Sequence, residues 1–271
     1  MKSKKLNDKI IVVYLSSKYS KISDLRKFLK SYKKFRAGSK HKLVICFKQL
    51  SKKELNKRLS LLKNIDYFVD PIDINDHEWG SLKRVCQFYF KSYIFFMNDY
   101  SYPITSNWLK YFDKLKKKKM IIGCTASKSS NLNNSFYRNH KDNYFKALFK
   151  IIYFFFKIPK FPNPHLRSTA FLIKAKDYLD FIKDKNVYYK IQSLTLESGY
   201  GGLTNFFKKK KYKIKVLNRF GNLFDLENGI FSKTFASYDQ EGLIISDNQT
   251  RIYNKLNTIE KIKKRKQCWG L

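Results

Sequence analysis

The chain opens by setting a continuous apolar run, "IIVVYLSS" (10–17), against "SDLRKFLKSYKKF" (23–35), whose apolar residues recur at helical spacing. The first stretch is β-branched and predicts a strand covered on both faces; the second predicts an amphipathic helix. The pair then repeats. "HKLVICFKQL" (41–50) predicts a strand, and "SKKELNKRLSLLKN" (51–64) a helix opened by Ser51 with Glu54 three residues on, a capping box. Strand "DYFVDPID" (66–73), helix "WGSLKRVCQFYF" (79–90), strand "SYIFFMND" (92–99), helix "TSNWLKYFDKLKKKK" (105–119) and strand "MIIGCTAS" (120–127) follow. Such alternation with short links predicts an α/β fold, a mostly parallel sheet flanked by helices. Ligands of these sheets collect beyond the carboxyl ends of the strands. Ser16, Ser17, Asp70, Asp73, Asn98 and Asp99 fall there.

The second half breaks the rhythm. "SKSSNLNNSFYRNHKDN" (127–143) reads as a mobile polar loop, and "YFKALFKIIYFFFKI" (144–158) as a helix dense in aromatics, with Lys146, Lys150 and Lys157 on one face. It is too short and too charged to cross a bilayer, which leaves a core-packed helix or one lying on a membrane surface. "FPNPHLRSTAFLIKA" (161–175) predicts a proline-set turn and a strand, 188–211 a long helical segment, and "YKIKVLN" (212–218) a strand. No repeat or flexible linker divides the chain. The expectation is one domain over 1–271, whose regular first half (1–127) is followed by a C-terminal elaboration (128–271).

Composition changes this picture less than its charge suggests. Lys and Arg total 57 against 21 Asp and Glu, a net charge of +36, which alone points to nucleic acid or an anionic membrane. Only nine of those cations are arginine, and the lysines are dispersed along the chain. Nucleic acid is therefore not expected as a partner. Cys46, Cys86, Cys124 and Cys268 form no CxxC pair, so neither a disulfide framework nor a zinc site is indicated. The basic start before "IIVVYL" is followed by too short an apolar run for a signal peptide, and a cytoplasmic protein, at most peripheral at the inner membrane face, is expected.

Several chemistries are excluded by what is missing. No GxGxxG or GxxxxGK[ST] follows the first strand, no GxSxG is present, and the four histidines lack metal-ligand spacing. The remaining signals are "NDYS" at the fourth strand end, "FPNPHLRSTAFLI", "LESGYGGLT" and "SDNQTRIY". In that order they resemble the GT-A-fold nucleotide-sugar glycosyltransferases, most of all the family-two-type and rhamnan-synthesis-like enzymes of bacterial surface polysaccharide synthesis.

The resemblance implies a nucleotide-sugar-binding half (1–127), an acceptor and catalytic half (128–271), and a role for each segment. In that family an Asp-x-Asp at this strand end binds a divalent cation (Mg²⁺ or Mn²⁺) beneath the donor diphosphate. Here Asn98-Asp99-Tyr100-Ser101 offers one carboxylate, so Asp99 would hold the metal, or Asn98 and Ser101 with a basic residue would position the diphosphate without one. Ser16, Asp73, Asp76, Gly80 and Arg84 are placed at the donor by the same likeness. Arg251 would grip the diphosphate from a segment closing over it as a lid. His165 and Arg167 are placed at the acceptor. Glu197 would be the general base of an inverting transfer, at a helix start, with Gly199, Gly201 and Gly202 letting backbone approach a bulky ligand. The implied function moves a sugar from a nucleotide-sugar donor to a hydroxyl of a glycan or lipid-linked saccharide, with peripheral membrane contact through 144–158. A non-catalytic basic protein binding anionic glycan, membrane or nucleic acid is the rival reading.

Overall fold

The structure is a computed structural model that describes residues 9–133 and 144–271, without the side chains of residues 144–147. Most of the polar loop expected over 127–143 lies outside the described residues.

The apolar runs become strands where the pattern places them: β1 (Ile10–Ser17), β2 (His41–Lys48), β3 (Asp66–Val69) and β4 (Tyr93–Met97). Short β5 (Tyr102–Pro103), β6 (Met120–Gly123), β7 (Ala126–Ser127), β8 (His165–Leu166), β9 (Ala170–Lys174), β10 (Lys213–Leu217), β11 (Leu223–Asp225) and β12 (Ile245–Ser246) follow. Eight of these form one sheet in the order β11-β10-β6-β9-β4-β1-β2-β3. Within it β9 and β11 run against the other strands. The fold is α/β, with a mostly parallel sheet flanked by helices. β9, from the second half of the chain, pairs with both β4 and β6 of the first half. The sheet therefore belongs to both halves.

The helices are α1 (Ile22–Lys34), α2 (Lys52–Leu59), α3 (His77–Phe88), α4 (Lys110–Leu115), α5 (Tyr144–Lys157), α6 (Ala175–Ile182), α7 (Lys190–Ser198), α8 (Leu203–Lys209), α9 (Asn248–Lys255) and α10 (Thr258–Trp269). Strand alternation divides the core between two faces. Ile11, Val13 and Leu15 pack with Trp79, Leu82 and Val85 of α3 and with Tyr178 and Phe181 of α6. Ile10, Val12 and Tyr14 pack with Leu25 and Phe28 of α1 and with Trp108 and Phe112. All four cysteines are buried and unpaired, and burial pushes the Cys46 thiol up to about 12.

Three expectations change. Only Lys110–Leu115 of 105–119 is helical, because the preceding chain turns through Asn107 at φ 60°. The segment 188–211 breaks into α7 and α8. A Cβ on Gly199 would stand 2.5 Å from the Thr195 carbonyl oxygen and 2.7 Å from that of Lys157, and one on Gly202 2.8 Å from the same Thr195 oxygen. These glycines admit the protein's own backbone. Finally, α6 was not expected; it closes over α3, and the Tyr178 hydroxyl donates to the Trp79 carbonyl at 2.9 Å.

Candidate active site

β1 and β4 lie side by side, so their carboxyl ends open at one edge of the sheet. There a cleft of about 510 Å³ is lined by Leu15, Ser17, Tyr19, Lys48, Asn75, His77, Glu78, Asn98, Asp99, Tyr100, Tyr188, Tyr189 and Lys190. Asp99 is 6 % exposed, and its Oδ2 accepts a 2.5 Å hydrogen bond from the Ser17 hydroxyl. Burial raises its pKa to about 6; the Ser17 bond opposes the shift and the charge of Glu78 adds to it. The Asp99 carbonyl accepts from the Tyr14 hydroxyl at 2.8 Å, which pins the turn to β1. Asn98 lines the same cleft, but its Oδ1 accepts from Ser101 Oγ at 2.6 Å and from the Tyr100 amide at 3.2 Å. Asn98 and Ser101 are thus committed to shaping the turn.

Parity separates the two serines of β1. Ser17 shares the Leu15 side and reaches the cleft. Ser16 points the other way, fully buried, and accepts from Arg58 Nη1 at 2.7 Å. Arg58 also holds the Ser20 carbonyl at 2.6 Å, bracing the loop that carries Tyr19. Of the two β1 serines, Ser17 and not Ser16 lines the cleft.

The acidic cluster after β3 is self-neutralised. Asp70 and Asp76 meet Lys48 at 3.3 and 2.5 Å, and Arg84 meets the same two carboxylates at 2.5 and 2.8 Å. The Ser81 hydroxyl donates to Asp70 at 2.6 Å. Burial would raise the Asp70 carboxyl, but Arg84 and Ser81 hold it below the usual carboxylate range. Asp76 stands at the N-cap of α3 without capping it, and Gly80 is explained by Asp76: a Cβ there would lie 1.7 Å from its Oδ2. Asp76, Gly80 and Arg84 therefore belong to a mostly buried ion cluster, and all three also line a hollow of about 150 Å³. Asp73 is exposed and lines a neighbouring hollow of about 300 Å³ with Phe47, Asp70 and Pro71.

The remaining expected residues, His165, Arg167, Glu197 and Arg251, are not part of the cleft lining. Glu197 lies in the last turn of α7, not at a helix start, and its Oε1 accepts from the Ser168 amide at 2.6 Å. The next carbonyl along, Thr169, accepts from the Asn98 amide at 3.0 Å. A short hydrogen-bonded path thus joins the Glu197 carboxylate to the Asp99 turn at one sheet edge. His165 is buried, with Nδ1 2.7 Å from the Asn163 carbonyl, and burial holds its pKa below the usual range against the pull of Glu197. Arg167 forms a buried ion pair with Asp247 at 2.7 Å and lies 3.8 Å from the Phe235 ring centroid. Its guanidinium is thus engaged by Asp247 and Phe235. Asp247 also caps α9, and β12 before it pairs with β5, so the segment expected to be a lid is built into the body. Arg251 donates to the Tyr100 carbonyl at 3.0 Å and braces the Asp99 turn from behind.

Sequence reasoning missed much of the lining. Tyr19, Tyr100, Tyr188 and Tyr189 surround Asp99, and Tyr189 is 68 % exposed. His77 lines the same cleft; its backbone holds φ 53°, and its buried Nε2 has no hydrogen-bond partner among the described residues. Burial keeps that imidazole below its usual pKa.

A divalent cation is implied only by the sequence resemblance. Among the described residues no group of three or more His, Cys, Asp or Glu side chains is arranged to hold a metal. Asp99 and Glu78 are the carboxylates on the cleft wall, enough for a cation that takes its other oxygens from water and phosphate. Asp99's raised proton affinity is also what a nearby cation would reverse.

No family model matches the sequence, and no curated protein matches it. Solved structures that resemble the chain include the glycosyltransferase GlyE of Streptococcus pneumoniae, 12 % identical, with 97 % of this chain and 62 % of that one covered at a TM-score of 0.45. The Pyrobaculum calidifontis mannosyltransferase PcManGT, solved with GDP-mannose and Mn²⁺, is 6 % identical over 76 % of this chain and 53 % of its own, at a TM-score of 0.43. A 4-diphosphocytidyl-2C-methyl-D-erythritol synthase of Anaerococcus prevotii is 13 % identical over 78 % and 87 %, at a TM-score of 0.41. Likenesses this distant leave the substrate to be argued from the cleft itself.

Proposed function

We propose that the chain is a GT-A-type glycosyltransferase whose donor site is the cleft around Asp99. The observation that carries this reading is the buried Asp99 carboxylate, without an ion pair among the described residues, in a tyrosine-lined cleft joined through Thr169 and Ser168 to Glu197. Tyr19, Tyr100, Tyr188 and Tyr189 offer flat faces for a nucleobase or sugar ring. Lys190, exposed at the start of α7, supplies positive charge for a diphosphate, and the neutral His77 Nε2 gains a partner from a bound hydroxyl or phosphate. Asp99 with Glu78 would hold a divalent cation, which neutralises charge on the departing diphosphate when bound.

Glu197 is the base in this reading. The acceptor hydroxyl oxygen attacks the anomeric carbon, the bond from that carbon to the diphosphate oxygen breaks, and the hydroxyl proton passes to Glu197. The Ser168 amide fixes one carboxylate oxygen and so aims the group. In-line displacement inverts the anomeric centre. Glu197→Gln keeps the shape and removes the base. Transfer should fall by about a hundredfold or more, while a nucleotide-sugar still raises the melting temperature as in the parent. An unchanged transfer rate removes Glu197 from the chemistry, and no transfer by either protein points to a binding module.

A further inference from the structure

Helix α5 carries its apolar stripe on the outside. Leu148, Phe149, Ile152, Phe155 and Phe156 are all exposed, Phe149 at 65 % and Phe156 at 70 %. Their spacing of i, i+1, i+4, i+7 and i+8 makes one continuous face. The opposite face is anchored: Phe154 and Ile158 are buried with Leu132 and pack against Tyr153, Ile191 and Leu194. A helix satisfied by water would turn its polar side outward, and scattered exposed apolar residues would not align. Lysines border the stripe. Lys157 and Lys160 are exposed at its C-terminal end, with Lys160 Nζ 5.7 Å from the Phe155 ring centroid. Just beyond, Phe161 shares a hollow of about 860 Å³ with Lys263, Lys264 and Lys266.

We infer that α5 docks on an anionic lipid surface, its phenylalanines entering the headgroup layer and the bordering lysines meeting lipid phosphates. Charge selects this occupant over a second copy of the chain. Two copies meeting on this face would oppose Lys157 and Lys160 in molecules that each carry +36, whereas an anionic leaflet accepts both features. Among the described residues no helix is long and apolar enough to cross a membrane, so the contact is peripheral. Docking also has a structural consequence. The Lys157 carbonyl accepts from the Tyr200 amide at 3.0 Å, tying the end of α5 to the turn that follows Glu197. The lipid surface would therefore lie against the Glu197 side of the cleft. The inference does not depend on the glycosyl-transfer reading, because binding is measured without turnover.

Cosedimentation of the full chain with vesicles of phosphatidylglycerol and phosphatidylethanolamine, against phosphatidylcholine alone, tests it. The parent should pellet with the anionic vesicles. Phe155→Ser combined with Phe156→Ser should weaken that binding about tenfold or more. The three tryptophans at 79, 108 and 269 are buried, so Phe155→Trp adds a surface reporter whose emission should shift to the blue on anionic vesicles. These sites are exposed, and an unchanged melting temperature checks that both variants fold. A parent that does not pellet, a double variant that pellets equally well, or a parent dimer dispersed by the double substitution would each overturn the inference.

Discussion

Asp70 and Asp76 stand after β3 and Asp99 after β4, all at one edge of the sheet, yet the protein treats them differently. The first two share Lys48 and Arg84, two cations for two carboxylates, inside a mostly buried cluster. Asp99 is equally buried and is met by the Ser17 hydroxyl, with no ion pair among the described residues. A buried charge balanced by its own fold is a structural element; one left to a hydroxyl is held at a cost that a ligand can relieve. Acidity at a strand end therefore does not by itself mark a site. What sets Asp99 apart, and what the proposed reading rests on, is that no cation pairs with it among the described residues.

Substitutions can break this contrast. Arg84→Ala leaves Asp70 and Asp76 sharing one lysine, and should cost about 3–5 kcal/mol, roughly 10 °C in thermal unfolding. A loss below about 1 kcal/mol would mean the cluster is not the balanced element described. Asp99→Asn should act in the opposite sense on stability. The folded-state pKa of about 6 lies above the unfolded value near 3.9, so the folded protein holds the extra proton and loses stability as pH rises between them. Above pH 6 the asparagine should therefore stabilise by on the order of 1–3 kcal/mol, and the gain should vanish below about pH 4. Chemical denaturation of both proteins at pH 4 and pH 8 measures it. Destabilisation by Asp99→Asn at pH 8 would remove the notion of an uncompensated charge. Ser17→Ala should cost about 1 kcal/mol and move the Asp99 titration higher still, readable by carboxyl NMR. A lower Asp99 pKa in that variant would contradict the bond's assigned effect.

How much of this was legible beforehand differs between the same regions. β1, β2 and β4 follow directly from their apolar runs, since parallel strands covered on both faces need no partner to be recognised, while β3 at the end of the sheet is mostly exposed. The turn at Gly199–Gly202 is legible as glycine, but only coordinates show the Thr195 and Lys157 carbonyls filling the space beside Gly199 and Gly202, while a Cβ on Gly201 would meet nothing within 4 Å. Strand alternation alone puts Ser17 on the side of Leu15 and Ser16 on the other, so which of the two lines the cleft is legible in the sequence. Arg84 and Arg167 are inherently ambiguous in sequence: a guanidinium suits a diphosphate and a buried carboxylate equally well. The tyrosines of the cleft come from three separate segments, 19, 100 and 188–189, and nothing local announces their meeting.

The central claim is that Asp99 marks a donor site, and calorimetric titration of nucleotide-sugars tests it most directly. The parent and Asp99→Asn would be compared with and without Mg²⁺ or Mn²⁺. At least one nucleotide-sugar should bind the parent, with affinity rising with pH through about 6 as Asp99 ionises, and should bind the asparagine variant at least about tenfold more weakly. Equal affinity in the two proteins at every pH would contradict the claim.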